Sequence, residues 1–167
     1  QEAACYERAA LSPLTGRVLV VGIKRLGVPE TFDLLEGDEA AMLRQVWTMT
    51  GDREGSHRWW GHNLHGFDIP FLVRRSWFHR VPVPMATLFD RRGYVNSDRF
   101  RDTMAIFQCG NRSEGFTSLD ALGRFFGMPA KEQDKSKHFA ELYAKNREAA
   151  LLHCKRDLVR TEQIIMR

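Results

Sequence analysis

The sequence predicts an α/β domain in which a mixed sheet is flanked by helices. Residues 17–24 form a near-continuous apolar run rich in β-branched side chains, which is typical of a buried strand. Residues 38–50 and 147–165 carry apolar side chains at helical spacing, which is typical of amphipathic helices. Because strand and helix patterns alternate within 167 residues, a length that suits one domain with its own core, we expect a single α/β unit.

The first half of the chain contains three predicted strands and two predicted helices. After Pro29, residues 31–36 partly alternate apolar and polar side chains, so we expect a second strand antiparallel to the first. The first helix is expected to end at Gly51. The predicted elements are strands at 17–24, 31–36 and 57–63 and helices at 38–50 and 67–79.

The second half of the chain is mainly helical in pattern. Prolines at 82 and 84 end the preceding helix, because the residue before a proline avoids the helical conformation. Residues 100–107 indicate a strand, or a strand that passes into a helix. Residues 117–127 begin with a Ser/Thr cap and end with glycine, so they predict a short helix. The last helix is expected at 147–165.

The composition argues against a membrane protein and for a cytoplasmic one. With 43% hydrophobic residues, no apolar run approaches the roughly 20 residues that a membrane span needs. The first residues lack the basic and apolar regions of a signal peptide. Three cysteines without a Cys-x-x-Cys pair are most simply explained as free thiols in a reducing cytosol.

Positive charge is concentrated in one part of the chain. The net charge is only +4, but residues 74–101 contain seven arginines against Asp90 and Asp98. Such a stretch suits a polyanion, because each phosphate contact releases counterions. The alternative is a solvated basic surface. The arginines are at positions 74, 75, 80, 91, 92, 99 and 101.

The segment from Gly61 to Leu72 carries the most informative pattern. It predicts a strand that runs into Asn63, a turn through Gly66 and a helix that begins near Asp68. The carboxylate of Asp68 would then lie at a strand-to-helix junction, where an acid can face a bound metal ion. The alternative is an acid in the first turn of a helix, where it complements the helix dipole.

The last helix contains a second candidate pair. His153, Asp157 and Thr161 are spaced by four residues, so they share one helix face. In a hydrolytic site the acid would hold a metal ion while the imidazole orients a water molecule. The alternative is a surface pair worth about 0.2–0.5 kcal/mol.

These motifs together resemble the DEDD 3′–5′ exonucleases. Asn63-x-x-x-Phe67-Asp68-x-Pro70 is similar to the second exonuclease motif of that family, and His153-x-x-x-Asp157 is similar to the third. The resemblance is closest to the predicted bacterial exonucleases related to the proofreading domain of family-B DNA polymerases, and it covers nearly the whole chain. The other similar stretches are Ala10 to Leu19, Asp102-Thr-Met, Ser118 to Leu122, Gly127 and Lys131.

The resemblance implies a ribonuclease H-like fold in which four carboxylates bind two divalent ions, Mg²⁺ or Mn²⁺. It assigns Asp68 and Asp157 as metal ligands, and His153, which stands where the family has Tyr, as the group that positions or deprotonates the water. The residues expected to hold the 3′ nucleotide of a single-stranded nucleic acid and its phosphate are Asn63, Phe67, Arg74 and Arg75.

The first family motif, Asp-x-Glu on an apolar strand, has no counterpart here. The one Asp-x-Glu, from Asp52 to Glu54, lies between glycines and is interpreted as a turn. In the family the missing strand is central in the sheet. We therefore expect that this chain is N-terminally incomplete, or that a strand of another chain occupies the missing position through strand exchange. A two-metal site is expected only if an upstream Asp-x-Glu completes it.

Several other residues have both a structural and a functional interpretation. His62, His65 and Cys154 suggest zinc, but they lack the paired spacing of a structural zinc site. Asp102 is either a further metal ligand or a turn and cap residue, and Asp120 is expected in the first turn of a helix. The tryptophans at 47, 59, 60 and 77 are expected in the core.

The sequence therefore favours a metal-dependent 3′–5′ exonuclease acting on single-stranded DNA or RNA. The second hypothesis is a catalytically degenerate nucleic-acid-binding module of the same fold, which the histidine at the tyrosine position and the absent first motif favour. The third is a purely structural or interaction domain, against which the arginine stretch speaks.

Overall fold

A computed structural model describes residues 11–51, 57–111, 113–130 and 139–167. Ala10 and Lys131 of the family resemblance, the turn assigned to Asp52–Glu54, and Cys5 lie outside the described residues.

The first two strands form an antiparallel hairpin, as predicted. Strand β1 spans Val20–Lys24 and β2 spans Phe32–Glu36. The register pairs Val20 with Glu36 and Lys24 with Phe32. The connecting turn includes Gly27 at φ 72, a conformation that glycine adopts without a steric penalty.

Helix α1 follows at Glu39–Thr50, and its boundaries have identifiable causes. The Asp38 side chain caps its start by accepting the Ala41 N–H at 2.9 Å. The Gly51 N–H closes the last turn on the Trp47 carbonyl. The side of α1 that carries Leu43, Val46 and Trp47 is buried.

The segment that carries Asp68 is built from three short elements. Strand β3 spans Trp59–Gly61, a π-helical turn spans Leu64–Asp68, and α2 spans Ile69–Phe78 with Pro70 in its first turn. The predicted strand–turn–helix order is confirmed, but the helix begins after a π-helical turn that the sequence did not predict.

Strand β4 brings a distant part of the chain beside this segment. Helix α3 is a single turn at Met85–Leu88, β4 spans Phe100–Asp102, and α4 follows at Thr103–Phe107. Strands β3 and β4 are parallel, with Gly61 opposite Asp102. Residues 100–107 are therefore a strand that passes into a helix, one of the two predicted possibilities.

Three helices complete the described chain. Helix α5 spans Leu119–Phe125, α6 spans Phe139–Lys145 and α7 spans Arg147–Ile165. Ser118 caps α5 through the Ala121 N–H. Helix α7 packs against β1, where a Cβ at Gly22 would lie 3.1 Å from Leu158 Cδ1.

The α/β class is confirmed, with an altered sheet. Within the described ranges the strands form two separate pairs, β1–β2 and β3–β4, where the sequence predicted one mixed sheet. One hydrophobic cluster receives side chains from both pairs, including Val21 and Phe100. A smaller cluster under α5 and α7 contains Leu122, Met128 and Ile164.

The prediction that the tryptophans lie in the core is wrong for Trp77. Trp47 is 5% exposed and Trp59 packs against the main cluster, as expected. Trp77, in contrast, is 59% exposed, although Val73 and Ser76 of the same helix are buried.

No helix among the described residues is long and apolar enough to cross a membrane. Cys109 and Cys154 are free thiols.

Candidate functional site

Asp102 organises the turn that carries Asp68. Its Oδ1 accepts the backbone N–H of Asn63 at 2.8 Å, and its Oδ2 accepts that of His65 at 2.9 Å. Oδ1 also accepts the Met104 N–H at 3.0 Å, which caps α4. Asp102 is only 2% exposed, and both its oxygens are used within the fold. Its cap role, one of the two sequence alternatives, is therefore confirmed.

Asn63 gives the turn its entry geometry. Its φ of 59° and ψ of 29° lie in the left-handed region, which asparagine tolerates better than most residues. A Cβ built on Gly66 would lie 2.3 Å from the Asn63 Oδ1. The Asn63 side chain therefore lies over Gly66, and only glycine fits at that position without a shift.

Asp68 is the chemically unusual group of this turn. The residue is partly buried at the end of the π-helical turn, immediately before α2. The pKa of its carboxyl group is raised to about 7, mainly by desolvation. The charge of nearby Asp102 contributes to this rise, and a hydrogen bond from the backbone N–H of Asp68 itself opposes it. A carboxyl group held so far from its ordinary pKa, next to a second acid, is a candidate functional group.

The donor chemistry at Asp68 suits one hard divalent cation. Mg²⁺ and Mn²⁺ prefer carboxylate and water oxygens, and one or two protein carboxylates suffice to hold Mg²⁺. A cation beside Asp68 would offset both the desolvation of this carboxylate and its repulsion from Asp102. The described residues contain no group of three or more His, Cys, Asp or Glu side chains placed to hold a metal.

Histidines near the turn are used in hydrogen bonds to the fold. The two ring nitrogens of His62 contact Thr103 Oγ1 at 3.0 Å and the Thr117 carbonyl at 2.7 Å. His65 Nε2 contacts the Phe100 carbonyl at 2.7 Å. These contacts tie the turn to β4 and to the segment before α5, and they leave little support for zinc at His62 and His65.

Cys154 also makes a poor zinc ligand. Burial raises the pKa of its thiol to about 11, with smaller contributions from the charges of Asp157 and Glu36. The thiol is therefore protonated at neutral pH, whereas metal binding needs the thiolate.

Phe67 and Arg74 are available to a ligand. The Phe67 ring packs against that of Phe71, with centroids 5.3 Å apart, while 36% of Phe67 remains exposed. Arg74 lies exposed on α2, six residues after Asp68. Both residues are therefore accessible to a ligand.

Arg75 has a structural role where the sequence suggested a phosphate contact. It is 6% exposed, and its guanidinium donates to both carboxylate oxygens of Glu39 at 2.8 Å. It also donates to the Pro13 carbonyl at 3.1 Å. Since these bonds use the guanidinium inside the fold, we retain Arg74 and not Arg75 as a candidate phosphate ligand.

His153 and Asp157 pair on α7 as the helical spacing predicts. His153 Nε2 lies 3.6 Å from Asp157 Oδ2, and the side chains are 13% and 32% exposed. The Phe139 ring lies beside the imidazole at 6.3 Å between centroids. Thr161, on the same face, donates to the Asp157 backbone carbonyl and not to its carboxylate.

The His153–Asp157 pair opens onto a large groove. This groove of ≈ 1580 Å³ is also lined by Phe32, Lys155 and Arg156, and it exceeds the 300–1,000 Å³ typical of small-molecule pockets. Asp68 is not among its lining residues. The charged neighbour of Asp68 is thus Asp102, and Asp157 is paired with His153.

Sequence reasoning missed two features of this region. One is the role of Asp102, whose two carboxylate oxygens accept hydrogen bonds from backbone N–H groups of the turn. The only sequence signal for this role was an acid at the end of an apolar strand. The other is the exposed aromatic pair Trp77 and Phe78, which adjoins the predicted ligand Arg74 on α2.

Comparison of the chain with protein-family models, with curated proteins and with solved structures finds no match.

Proposed function

We propose that this chain is a metal-dependent 3′–5′ exonuclease on a ribonuclease H-like fold, which hydrolyses single-stranded DNA or RNA. The observation that supports this most directly is the Asp68 carboxyl group. It lies at a strand-to-helix turn beside a second acid, and desolvation raises its pKa to about 7. A carboxylate that is costly to ionise alone gains the most from a divalent cation.

In this proposal Asp68 and Asp157 hold Mg²⁺ or Mn²⁺. When bound, such an ion lowers the pKa of a water molecule and offsets charge on the phosphate oxygens. His153, whose Nε2 faces the Asp157 carboxylate, orients that water or accepts its proton. A two-ion site would need further carboxylates beyond those of the described residues.

The substrate contacts come from the same turn and from α2. Phe67 offers an exposed ring on which the terminal base can stack. Arg74 offers an unburied guanidinium for a phosphate. The Asn63 side chain lies over Gly66 and presents its amide at the entry of the turn.

A nucleic-acid-binding module without catalysis is the second candidate. One observation favours it: the described residues contain no group of three or more His, Cys, Asp or Glu side chains placed to hold a metal. Such a module would bind oligonucleotides in EDTA and leave them uncut when Mn²⁺ is added.

The experiment that separates the two follows a 5′-labelled single-stranded oligonucleotide incubated with the complete gene product and Mn²⁺. The exonuclease predicts a ladder of shortened products that EDTA, Asp68→Asn and Asp157→Asn each abolish. Asp33→Asn, at an exposed acid on β2, is the matched control and should leave the ladder intact. Full activity in both Asp68→Asn and Asp157→Asn would refute the assignment.

A further inference from the structure

The C-terminal half of α2 presents large aromatic side chains to solvent. Trp77 is 59% exposed and Phe78 is 68% exposed, although the same helix buries Val73 and Ser76. Arg74 and Arg80 flank the two rings and are also exposed. We call Arg74, Trp77, Phe78 and Arg80 the α2 platform.

We infer that the α2 platform binds single-stranded nucleic acid, with bases stacked on Trp77 and Phe78 and phosphates held by Arg74 and Arg80. Adjacent exposed aromatic rings offer stacking surfaces to any base, and arginines beside them suit the phosphate backbone. The placement of the strand's 3′ end at Asp68 rests on the proposed function, whereas binding of the strand itself does not.

The surroundings of Phe78 hold its ring in place. The Arg75 guanidinium lies 4.4 Å from the ring centroid, and the His79 ring meets Phe78 edge-on at 5.0 Å. Arg75 is itself held by both oxygens of Glu39. Because the ring is already ordered before binding, stacking a base on it costs little further side-chain entropy.

The charge around the platform selects an anionic partner. Residues 69–81 contain three arginines and no acidic residue. Glu39 neutralises Arg75, so the charges of Arg74 and Arg80 remain for a ligand. A protein surface of mixed charge would gain less binding free energy here than a nucleic acid, whose phosphate backbone supplies repeated negative charge next to stacking bases.

Helix geometry relates the platform to Asp68. Trp77 follows Asp68 by nine residues, and a rise of about 1.5 Å per residue separates them by about 14 Å along the axis. At about 3.4 Å per stacked nucleotide, this distance corresponds to about four nucleotides. Nine residues also rotate the helix by about 900°, which places Trp77 on the side of α2 opposite Asp68, whereas Phe78 is about 80° from it. A strand whose 3′ end lies at Asp68 would therefore need at least about four nucleotides to reach the platform, and it would curve around α2.

The test measures equilibrium binding of a labelled single strand of roughly 12 nucleotides by fluorescence anisotropy in EDTA, where hydrolysis is absent. We expect Trp77→Ala and Phe78→Ala each to weaken binding by about tenfold, since each removes a stacking surface. Arg74→Ala with Arg80→Ala should lower the slope of log K against log salt by about 1.4, which is two phosphates on a single strand. All four positions are exposed, so circular dichroism should show an unchanged fold.

The matched controls are an exposed aromatic side chain and two exposed arginines outside the platform, and both arginines lie outside the arginine stretch at residues 74–101. Tyr94→Ala, Arg25→Ala and Arg44→Ala each remove an exposed side chain of the same type. The platform predicts binding within about twofold of the wild type for all three. Wild-type binding by Trp77→Ala, or loss confined to the control variants, would overturn the inference, as would absence of binding by the unmodified protein.

A length series separates this inference from the proposed exonuclease. If both hold, Trp77→Ala should slow Mn²⁺-dependent hydrolysis of the long strand and leave a dinucleotide unaffected, since the dinucleotide cannot reach the platform. Weakened binding by Trp77→Ala without any hydrolysis would retain the platform and reject the exonuclease. Hydrolysis with no effect of Trp77→Ala on binding would reject the platform alone.

Discussion

Asp102 Oδ1 accepts the backbone N–H of Asn63 at 2.8 Å, across 39 positions of sequence. Together with the bond from the His65 N–H to Oδ2, this contact fixes the turn between β3 and α2 to the end of β4. The orientation of Asp68 therefore depends on an acid that is itself almost fully buried. Asp102 acts as a positioning residue.

Asp102→Asn should destabilise the protein and loosen the turn. The asparagine amide retains one acceptor oxygen and places an NH₂ group against at least one of the three backbone N–H donors, those of Asn63, His65 and Met104. Leaving a buried donor unsatisfied costs about 1–3 kcal/mol of unfolding free energy. Urea denaturation measures this loss, and Asp33→Asn at an exposed position should stay within about 0.5 kcal/mol of the wild type.

Asp68→Asn should stabilise the fold, and more so at alkaline pH. The folded pKa of Asp68, about 7, is above its unfolded value, so ionisation of Asp68 opposes folding increasingly as pH rises from about 4 to 7. The neutral amide removes this penalty. We expect a gain of roughly 1–3 kcal/mol at pH 8 and a smaller gain at pH 5.

Mg²⁺ supplies an activity-independent check on the same residue. If a cation binds at Asp68, the ion should raise the melting temperature of the wild type at pH 8 and leave that of Asp68→Asn unchanged. Equal shifts in both proteins would place the ion elsewhere. A gain in Asp68→Asn stability that did not change between pH 5 and pH 8 would contradict the raised pKa.

Glu39 should control acid stability. It pairs with Arg75 and with His79 Nε2 at 2.7 Å, and it accepts the Val18 N–H. Burial raises its pKa, but the bonds from Arg75, Val18 and His79 outweigh burial and lower it to about 2. Since the folded pKa is below the unfolded value, this stabilisation is complete above about pH 4.5 and is lost as pH falls towards 2.

The Glu39→Gln variant tests that account. It leaves Arg75 buried without its carboxylate, so we expect a loss of roughly 2–4 kcal/mol at pH 7. The difference from the wild type should shrink as pH falls below 4. Glu30→Gln, at an exposed position in the β1–β2 turn, should behave as the wild type throughout the denaturation series.

Gly66→Ala should strain the turn through Asn63. The added Cβ would lie 2.3 Å from Asn63 Oδ1, so one of the two groups must shift, at a cost of about 1–3 kcal/mol. Asn63→Gly keeps the left-handed backbone and removes the clashing amide. In a double-mutant cycle the cost of Gly66→Ala should therefore fall when Asn63→Gly is present; a cost that is the same in both backgrounds would place the strain elsewhere.

Local sequence signals predicted the elements whose causes are local. Ser118 and the terminal glycine define α5 through bonds within a few residues, and the bounds of α7 match the predicted 147–165. The hairpin of β1 and β2 followed from alternation after Pro29. In each case the residues that decide the structure lie next to one another in sequence.

The features that escaped prediction depend on contacts distant in sequence. The π-helical turn before Asp68 is held by Asp102, and the burial of Arg75 depends on Glu39, 36 residues earlier. Trp77 was expected in the core because tryptophan is apolar, yet it is exposed although Val73, one turn earlier in α2, is buried. The spacing of residues within α2 alone does not show which distant residues its side chains contact.

The most direct test of the central claim is a time course of a 5′-labelled single-stranded oligonucleotide with the complete gene product and Mn²⁺, with Asp68→Asn in parallel. The proposed exonuclease predicts a ladder of products that shorten from the 3′ end and that disappear in EDTA and in the variant. A ladder that persists undiminished in Asp68→Asn would contradict the assignment of Asp68, and an uncut oligonucleotide that remains bound would identify a binding module.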